Sequence, residues 1–321
     1  MDVIYTDGNR ADVGVLDKYK FDLSFGASEN DFQLEVSGDG VNLDFGAVVY
    51  IEGTEYGGIV DIRKTTSNND VTTYLGRTWH GVMNSKVIQP DSGVAYLTMS
   101  GDANTVLSTM VERLTLTDLF SVDTGASGIT ITNYKFPRYC KGYDGIRDML
   151  TANGAKLQMR WTGRMVELSA IPVVDYTNAP VDNDMAVLDV EKHGQKINHL
   201  ICLGKGELTD REVVHLYVNS AGQIVDTPTY TGLDEYADTY DYSSAESSDA
   251  LRDYGIKQLE KLRDVDKSEM SLNEDVDLVY DIGDIVGATD VRSDLSVSAT
   301  VTQKIVKIDN GTMDIEYKTG G

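Results

Sequence analysis

Short runs in which apolar and polar residues alternate fill the first 93 residues. Residues 32–36 and 41–45 each carry an apolar side chain at every second position, with a Gly-Asp-Gly turn between them. A period of two is typical of strands that bury one face. Strands this short, with polar turns about every ten residues as far as Pro90–Gly93, predict an antiparallel barrel or sandwich over residues 1–93.

Helical spacing begins after residue 94. Asp102 can cap a helix whose apolar residues recur every three or four positions from Val106 to Leu114. A second short helix ends at Asn153-Gly154, and the hairpin after it turns at Thr162-Gly163. The sequence therefore predicts an inserted α/β domain over residues 94–185, which ends in a linker rich in proline and aspartate.

The last third returns to strands. Residues 197–203 are apolar on both faces, which predicts a buried strand, and the final strands turn at Asn310-Gly311. Between them, Ser243 and Glu246 form a capping-box pattern ahead of an apolar helical stripe. This order predicts a helix that interrupts a second group of strands.

A faint internal repeat favours two related β domains. Residues 59–76 and 300–320 are both units of strand, polar turn and strand with a tyrosine near the end. Each is expected to close a separate β block, one on either side of the helical region. The predicted fold class is mainly β with α+β insertions: two similar antiparallel β-barrels plus inserted α/β domains. The second barrel is expected from residues 186–225 with 270–321, and a helical insertion from residues 226–269.

Acidic residues outnumber basic ones by 52 to 28, which gives a formal net charge of −24 and a pI of about 4.4. Residues 1–93, with 15 acidic and 7 basic side chains, carry −8, and the rest, with 37 and 21, carries −16. The charge is therefore spread over the whole surface. Binding to nucleic acids or anionic lipids needs clustered Lys and Arg, so both are disfavoured, whereas a surface that repels DNA is allowed.

No targeting or membrane segment is evident in the sequence. Residues 1–14 lack the basic and apolar regions of a secretory signal. The longest apolar run, Phe45–Ile51, is much shorter than the roughly 18 residues of a membrane helix. We therefore expect a protein that is made in a cytoplasm, stays soluble and has no membrane span.

Histidines and cysteines show no pattern of metal binding or catalysis. The four histidines form no HExxH pair: His80, His193, His199 and His215. Cys140 and Cys202 are too few for a disulfide framework or a structural zinc site. Cys202 lies in an apolar strand pattern, and Cys140 has no catalytic signature around it, so both are interpreted as packing residues.

Loops and acidic pairs give no stronger signal. The segment Gly204–Glu207 resembles the start of a phosphate loop, but a strand pattern rather than a helix follows it. Four aspartates could offer oxygens to calcium, but without the EF-hand spacing: Asp275, Asp277, Asp281 and Asp284. Glycoside hydrolysis needs two carboxylates in one cleft, and 52 candidates nominate no pair. No catalytic, cofactor-binding or metal-binding residue is predicted, and the chain is not expected to be an enzyme.

Several segments carry a family likeness in their order along the chain. They are Gly76–Val82 with Val87–Pro90, Tyr143–Leu150, Ile197–Ile224 and Ile282–Val286. With them, nearly the full length resembles the tail-hub (baseplate hub) proteins of long-tailed phages and prophages, the group that includes siphovirus tail-associated proteins. None of these segments is a chemical motif, so the resemblance depends on their order.

The resemblance implies a structural role. Hub proteins of this family are homotrimers whose two β-barrels per copy form a pseudo-sixfold ring between the tail tube and the tail tip. Partners would be the tail tube or distal tail protein, the tape-measure protein and tip or fibre proteins, in the virion tail. The genome would pass through the ring without specific binding. A glycan-binding or glycan-cleaving tail protein, and the hub of a contractile injection system, remain alternatives.

Overall fold

The computed structural model describes residues 1–38, 41–66, 70–177, 186–191, 193–263, 267–272, 279–290 and 295–320. Within these ranges the chain is mainly β. It divides into two compact units. The large unit contains Met1–Leu188 and Glu269–Gly321, and the small unit contains Asp189–Ser268.

The N-terminal part of the large unit consists of seven strands: β1 (Ile4–Thr6), β2 (Asp12–Val15), β3 (Tyr19–Gly26), β4 (Asp31–Ser37), β5 (Val48–Tyr50), β6 (Gly57–Thr65) and β7 (Val71–Thr78). The segment after it alternates helices and strands: α1 (Trp79–Asn84), β8 (Val87–Ile88), β9 (Thr98–Asp102), α2 (Ala103–Arg113), β10 (Phe120–Val122), β11 (Thr130–Lys135), β12 (Cys140–Lys141), α3 (Gly142–Thr151), β13 (Ala155–Thr162) and β14 (Met165–Pro172).

The remaining elements are β15 (Ala186–Glu191), β16 (His199–Leu203), β17 (Val213–Val218), β18 (Ile224–Val225), β19 (Ala237–Asp241), α4 (Ser248–Arg263), β20 (Lys267–Leu272), β21 (Ile285–Asp290), β22 (Leu295–Asp309) and β23 (Thr312–Gly320). Two 3₁₀ turns lie between them, at Leu208–Asp210 and Gly232–Asp234. Among the described helices, none is long and apolar enough to cross a membrane.

A ten-stranded sheet joins the two ends of the chain. Its strand order is β2-β1-β5-β6-β7-β4-β3-β22-β21, and β23 pairs with β22. β22 pairs antiparallel with β3 from Gln303 opposite Gly26 to Asp309 opposite Lys20. The strand order is open, so the described strands do not close into a ring.

The buried face of this sheet follows the predicted alternation. Apolar side chains of β3 and β4 are buried at every second position, as in Phe21, Leu23 and Phe25. Phe32 of β4 covers Gly76 of β7, where a Cβ atom would lie 2.7 Å from the phenylalanine ring and 1.9 Å from the Ile59 carbonyl oxygen. Only glycine fits at this position, because the ring occupies the space that any side chain would need.

The segment predicted as an inserted α/β domain shares a core with the N-terminal strands. Trp161 of β13 stacks on Tyr50 of β5 at 4.5 Å and on Trp79 of α1 at 5.2 Å between ring centroids. The Asp102 side chain caps α2 by accepting a hydrogen bond from the Asn104 amide, as the sequence predicts. Residues 93 and 94 therefore do not mark a boundary between compact units.

The strand pairing differs from the predicted second barrel. β21, β22 and β23 join the N-terminal sheet, whereas β16–β19 form a separate four-stranded sheet of order β18-β17-β16-β19 in the small unit. Among the described residues, 186–225 and 270–321 therefore do not form one common sheet, although β15 pairs with β20 in a separate two-stranded sheet. The two similar hairpins, β6–β7 and β22–β23, also belong to the same sheet instead of closing separate blocks.

β16 and β17 belong to the small unit because they pack against α4. Leu200, Cys202 and Leu216 are fully buried on one face of this sheet, and they form a core with Leu251 and Leu259 of α4. Burying apolar area of this kind contributes about 25 cal/mol per Å². The helix that was predicted as an insertion, α4, therefore packs on one face of the four-stranded sheet in the same unit.

Candidate functional site

A buried group of charged side chains lies where the N-terminal sheet, the β13–β14 hairpin and the loop before β21 meet. Lys304 of β22 is fully buried, and its Nζ atom lies 2.5 Å from Glu55 Oε1 and 3.5 Å from Asp281 Oδ1. Glu55 comes from the turn between β5 and β6. One lysine therefore holds two carboxylates that come from opposite ends of the chain.

Lys156 of β13 extends this group. Its Nζ atom lies 2.8 Å from Asp281 Oδ2 and 2.7 Å from both oxygens of Asp284. The Asp284 carboxylate also accepts hydrogen bonds from the backbone amides of Val174 and Asp281, each at 2.9 Å. We call Glu55, Lys156, Asp281, Asp284 and Lys304 the buried charge cluster.

The pKa values in the cluster favour its charged state. Burial opposes the charge of Lys304, but Glu55, Tyr56, Tyr317 and Asp281 together raise its pKa. Burial would likewise raise the pKa of Asp281, but Lys304 and Lys156 lower it below the ordinary value. Both shifts follow from the close opposite charges, because an opposite charge within a few ångströms stabilises the ionised form.

His80 of α1 lies beside the cluster as a neutral ring. It is 2% exposed, stacks on Phe25 at 4.5 Å between ring centroids, and meets the edge of Tyr143. Its Nε2 atom is 4.0 Å from Glu55 Oε2, but that carboxylate is already paired with Lys304. Burial, together with the charge of Lys304, lowers the pKa of His80 to about 3.

His80 should make stability depend on pH. The unfolded chain binds a proton on this side chain below about pH 6.5, whereas the folded ring does so only near pH 3. The free energy of unfolding should therefore fall as the pH is lowered from about 6.5 toward 3, by up to about 1.4 kcal/mol per pH unit. Denaturant titrations between pH 7 and 5 should show this slope reduced by about one proton in His80→Phe. An unchanged slope in His80→Phe would contradict the assignment.

The sequence-nominated aspartates do not form a calcium site among the described residues. The oxygens of Asp281 and Asp284 are occupied by Lys156, and Asp275 and Asp277 lie outside the described residues. The described part of the chain has no group of three or more His, Cys, Asp or Glu that could hold a metal ion.

The other histidines are in the small unit. His199 Nδ1 lies 2.6 Å from Glu235 Oε1, and its Nε2 lies 2.8 Å from His215 Nδ1, so the three side chains form a hydrogen-bonded row. His199 also stacks on Tyr217 at 4.3 Å. His193 bonds to Glu191 at 3.0 Å. The row connects β16 and β17 to the segment before β19.

The two cysteines and the glycine loop occupy structural positions. Burial raises the pKa of both thiols, Cys140 and Cys202. Cys202 packs against Gly255 of α4, where a Cβ atom would lie only 2.4 Å from its sulfur. The segment Gly204–Glu207 leads into a 3₁₀ turn and then β17. A strand therefore follows this segment, as the sequence pattern indicates.

The solvent-facing side of the ten-stranded sheet carries a shallow groove. Its volume is about 460 Å³, and Ile62, Leu75 and Ile305 contribute its apolar lining. Asp22 and Asp31 also line the groove, and burial raises the pKa of both. We call this feature the sheet groove.

Two ion pairs also lie on strands of this sheet. Arg77 binds both oxygens of Asp61, at 2.7 and 2.8 Å, and Lys20 lies 3.6 Å from Asp309. Acidic side chains on these strands are thus partly neutralised by basic neighbours.

Comparison with known proteins identifies the fold. No protein-family model matches the chain, and no curated protein matches it. The structure is similar to prophage tail protein gp18 from Listeria monocytogenes EGD-e, with 12% identity, 100% of this chain and 95% of that chain covered, and a TM-score of 0.55. It is also similar to the 43 kDa tail protein of prophage MuSo2 from Shewanella oneidensis, with 10% identity, coverage of 100% and 98%, and a TM-score of 0.54.

A third similar structure comes from the phage P2 baseplate in its activated conformation with Ca, with 11% identity, coverage of 99% and 98%, and a TM-score of 0.51. All three likenesses extend over nearly the full length of both chains. The protein therefore has the fold of phage and prophage tail and baseplate proteins, as the order of its segments predicts.

Proposed function

We propose that this chain is a structural subunit of a phage or prophage tail, of the baseplate-hub type, and that it has no enzymatic role. The observation that carries the proposal is the end-to-end likeness to the prophage tail protein from Listeria, in which 100% of this chain and 95% of that chain are covered. Its place is the virion tail. The buried charge cluster then serves to hold the fold together, because its carboxylates are bound by lysines.

The finer proposal is a homotrimer that forms a pseudo-sixfold ring between the tail tube and the tail tip. Its partners would be the tail tube or distal tail protein, the tape-measure protein, and tip or fibre proteins. The net charge of −24 supports a channel through which DNA passes, because like charges repel and few basic side chains are available for phosphate contacts.

The strand at one end of the sheet order offers a surface for contact between copies. β2 is terminal among the described strands, and its Val13 and Val15 side chains are 58% and 53% exposed. A terminal strand leaves backbone hydrogen-bonding groups without a strand partner on one side. Exposed valines on such a strand favour pairing with another chain.

Assembly on a tail tube tests this proposal. The purified chain is mixed with a candidate tube or distal tail protein, and the complex is analysed by light scattering and negative-stain electron microscopy. We expect a threefold ring at the end of the tube. The double variant Val13→Arg, Val15→Arg should abolish the ring, whereas Val94→Arg, at a comparably exposed valine away from β2, should preserve it. A chain that stays monomeric and unbound with the tube protein present would contradict the proposal.

A further inference from the structure

Half-buried arginines in this acidic protein generally pair with aspartate. Among the described residues, five of them do so: Arg10 with Asp118, Arg77 with Asp61, Arg147 with Asp148, Arg211 with Asp241, and Arg252 with Asp226. With 52 acidic residues available, a half-buried guanidinium readily finds a carboxylate. A half-buried arginine without such a partner is therefore an exception that needs a reason.

Arg263, the last residue of α4, is such an exception. It is half-buried, and its Nη1 atom donates a hydrogen bond to the Ile197 carbonyl oxygen at 2.6 Å. In the part of the chain that the structure describes, no carboxylate pairs with it. A guanidinium has five N–H donors in a planar fork, so this single bond fixes its orientation and leaves donors for another group.

Arg263 lines a cavity of about 520 Å³ in the small unit. This volume is within the range of small-molecule sites. The cavity also contains the basic residues His193 and Lys196, and Asp234 is the acidic residue among its described lining. His193 is bound to Glu191 and Lys196 also has a partner, so among the described lining residues Arg263 contributes the cation that is still available.

The walls of the cavity are held in place by hydrogen bonds. The Asn198 side chain donates to the Asp234 carbonyl oxygen at 2.7 Å and accepts from the Tyr236 amide at 2.9 Å. The Gln195 side chain donates to the Leu233 carbonyl oxygen at 3.3 Å. These bonds tie the segment before β16 to the segment before β19, so the cavity is formed before any ligand enters.

We propose that this cavity, the Arg263 cavity, binds the carboxylate or phosphate of a small hydroxylated molecule, such as an acidic sugar or a polyol phosphate. The anion would take the remaining N–H donors of Arg263, because arginine binds both groups with paired hydrogen bonds. Tyr230 and Asn219 line the same cavity and offer polar atoms to hydroxyl groups. The partial negative charge at the carboxyl end of α4 opposes an anion, but it is only about half an elementary charge, less than that of Arg263.

Titration of the full-length chain with defined probes tests this site. Glucuronic acid and glycerol 3-phosphate are the anionic probes, glucose and glycerol their neutral counterparts, and binding is followed by calorimetry and amide NMR shifts. We expect saturable binding of at least one anionic probe and none of the neutral ones. Arg263→Gln should weaken that binding about tenfold or more, since the lost bonds are charge-assisted. Binding of glucuronic acid would indicate a site for sugar acids, and binding of glycerol 3-phosphate would indicate a site for polyol phosphates.

Lys261→Gln is the matched control, since it removes one positive charge from an exposed position of the same helix. It should leave binding unchanged. Arg263→Lys keeps the positive charge and should bind the anionic probe more tightly than Arg263→Gln. Circular dichroism checks that the two variants are folded to the same extent. Equal binding of neutral and anionic probes, equal losses in Lys261→Gln and Arg263→Gln, or no binding of any probe would each overturn the proposal. None of these outcomes depends on ring assembly, so the site and the tail function are tested separately.

Discussion

Replacing Lys304 with methionine is expected to lower the free energy of unfolding of the large unit by about 3 kcal/mol. Removal of the ammonium group leaves Glu55 and Asp281 with one partner fewer in a largely buried place, and an uncompensated buried charge costs about 3–5 kcal/mol. The lower end applies because these carboxylates retain side-chain exposures of 18% and 37%.

Lys307→Met is the matched control for this substitution. Lys307 lies three residues further along β22, is exposed, and should change stability by less than about 0.5 kcal/mol. Tryptophan fluorescence during denaturation reports on the large unit alone, because Trp79 and Trp161 are the two tryptophans of the chain. A loss below about 1 kcal/mol in Lys304→Met would show that the cluster contributes little to folding.

The alternation of apolar residues was sufficient to predict many strands, and it also indicated that the Lys304 side chain is buried. Along β22, Val306 and Ile308 are buried and Lys304 occupies the same face, because side chains alternate with a period of two. A lysine in phase with buried apolar residues needs an anionic partner. The sequence offered 52 acidic residues as that partner, so local pattern could not identify Glu55.

Strand pairing was not predictable for a related reason. The alternation within β22 specifies which face is buried, but not that β3, nearly 300 positions earlier in the chain, is its neighbour. The two β hairpins with similar sequences were therefore assigned to separate barrels, although both belong to one sheet. Partner choice depends on contacts between distant segments, which a local pattern does not record.

β19 illustrates how acidic composition can hide a strand. Ala237–Asp241 lies within the most acidic stretch of the chain and was predicted as part of a helical insertion. In the structure it pairs parallel with β16 as a terminal strand of the small sheet. Charged residues are tolerated on terminal strands because one side of the strand faces solvent, and they also discourage unwanted pairing.

Substituting Asp284 with asparagine is expected to cost at least as much stability as Lys304→Met, about 3–5 kcal/mol. The carboxylate is 1% exposed, receives Lys156 on both oxygens, and accepts two backbone amides. In either orientation, an asparagine of the same shape would place its NH₂ group against both the ammonium of Lys156 and one of these amides, so donors would face donors. Asp309→Asn, which alters an exposed ion pair with Lys20, should cost less than about 1 kcal/mol.

The double variant Lys156→Met, Asp284→Asn shows whether the ammonium is the reason for that cost. If it is, the stability lost in the double variant should be smaller than the sum of the two single losses by about 1–3 kcal/mol, because the asparagine then no longer faces a buried cation. Hydrogen exchange locates the effect: the Val174 amide, which donates to Asp284, should exchange faster in Asp284→Asn. Strictly additive losses with unchanged protection of Val174 would mean that Asp284 acts independently of Lys156, and the cluster would then reduce to separate ion pairs.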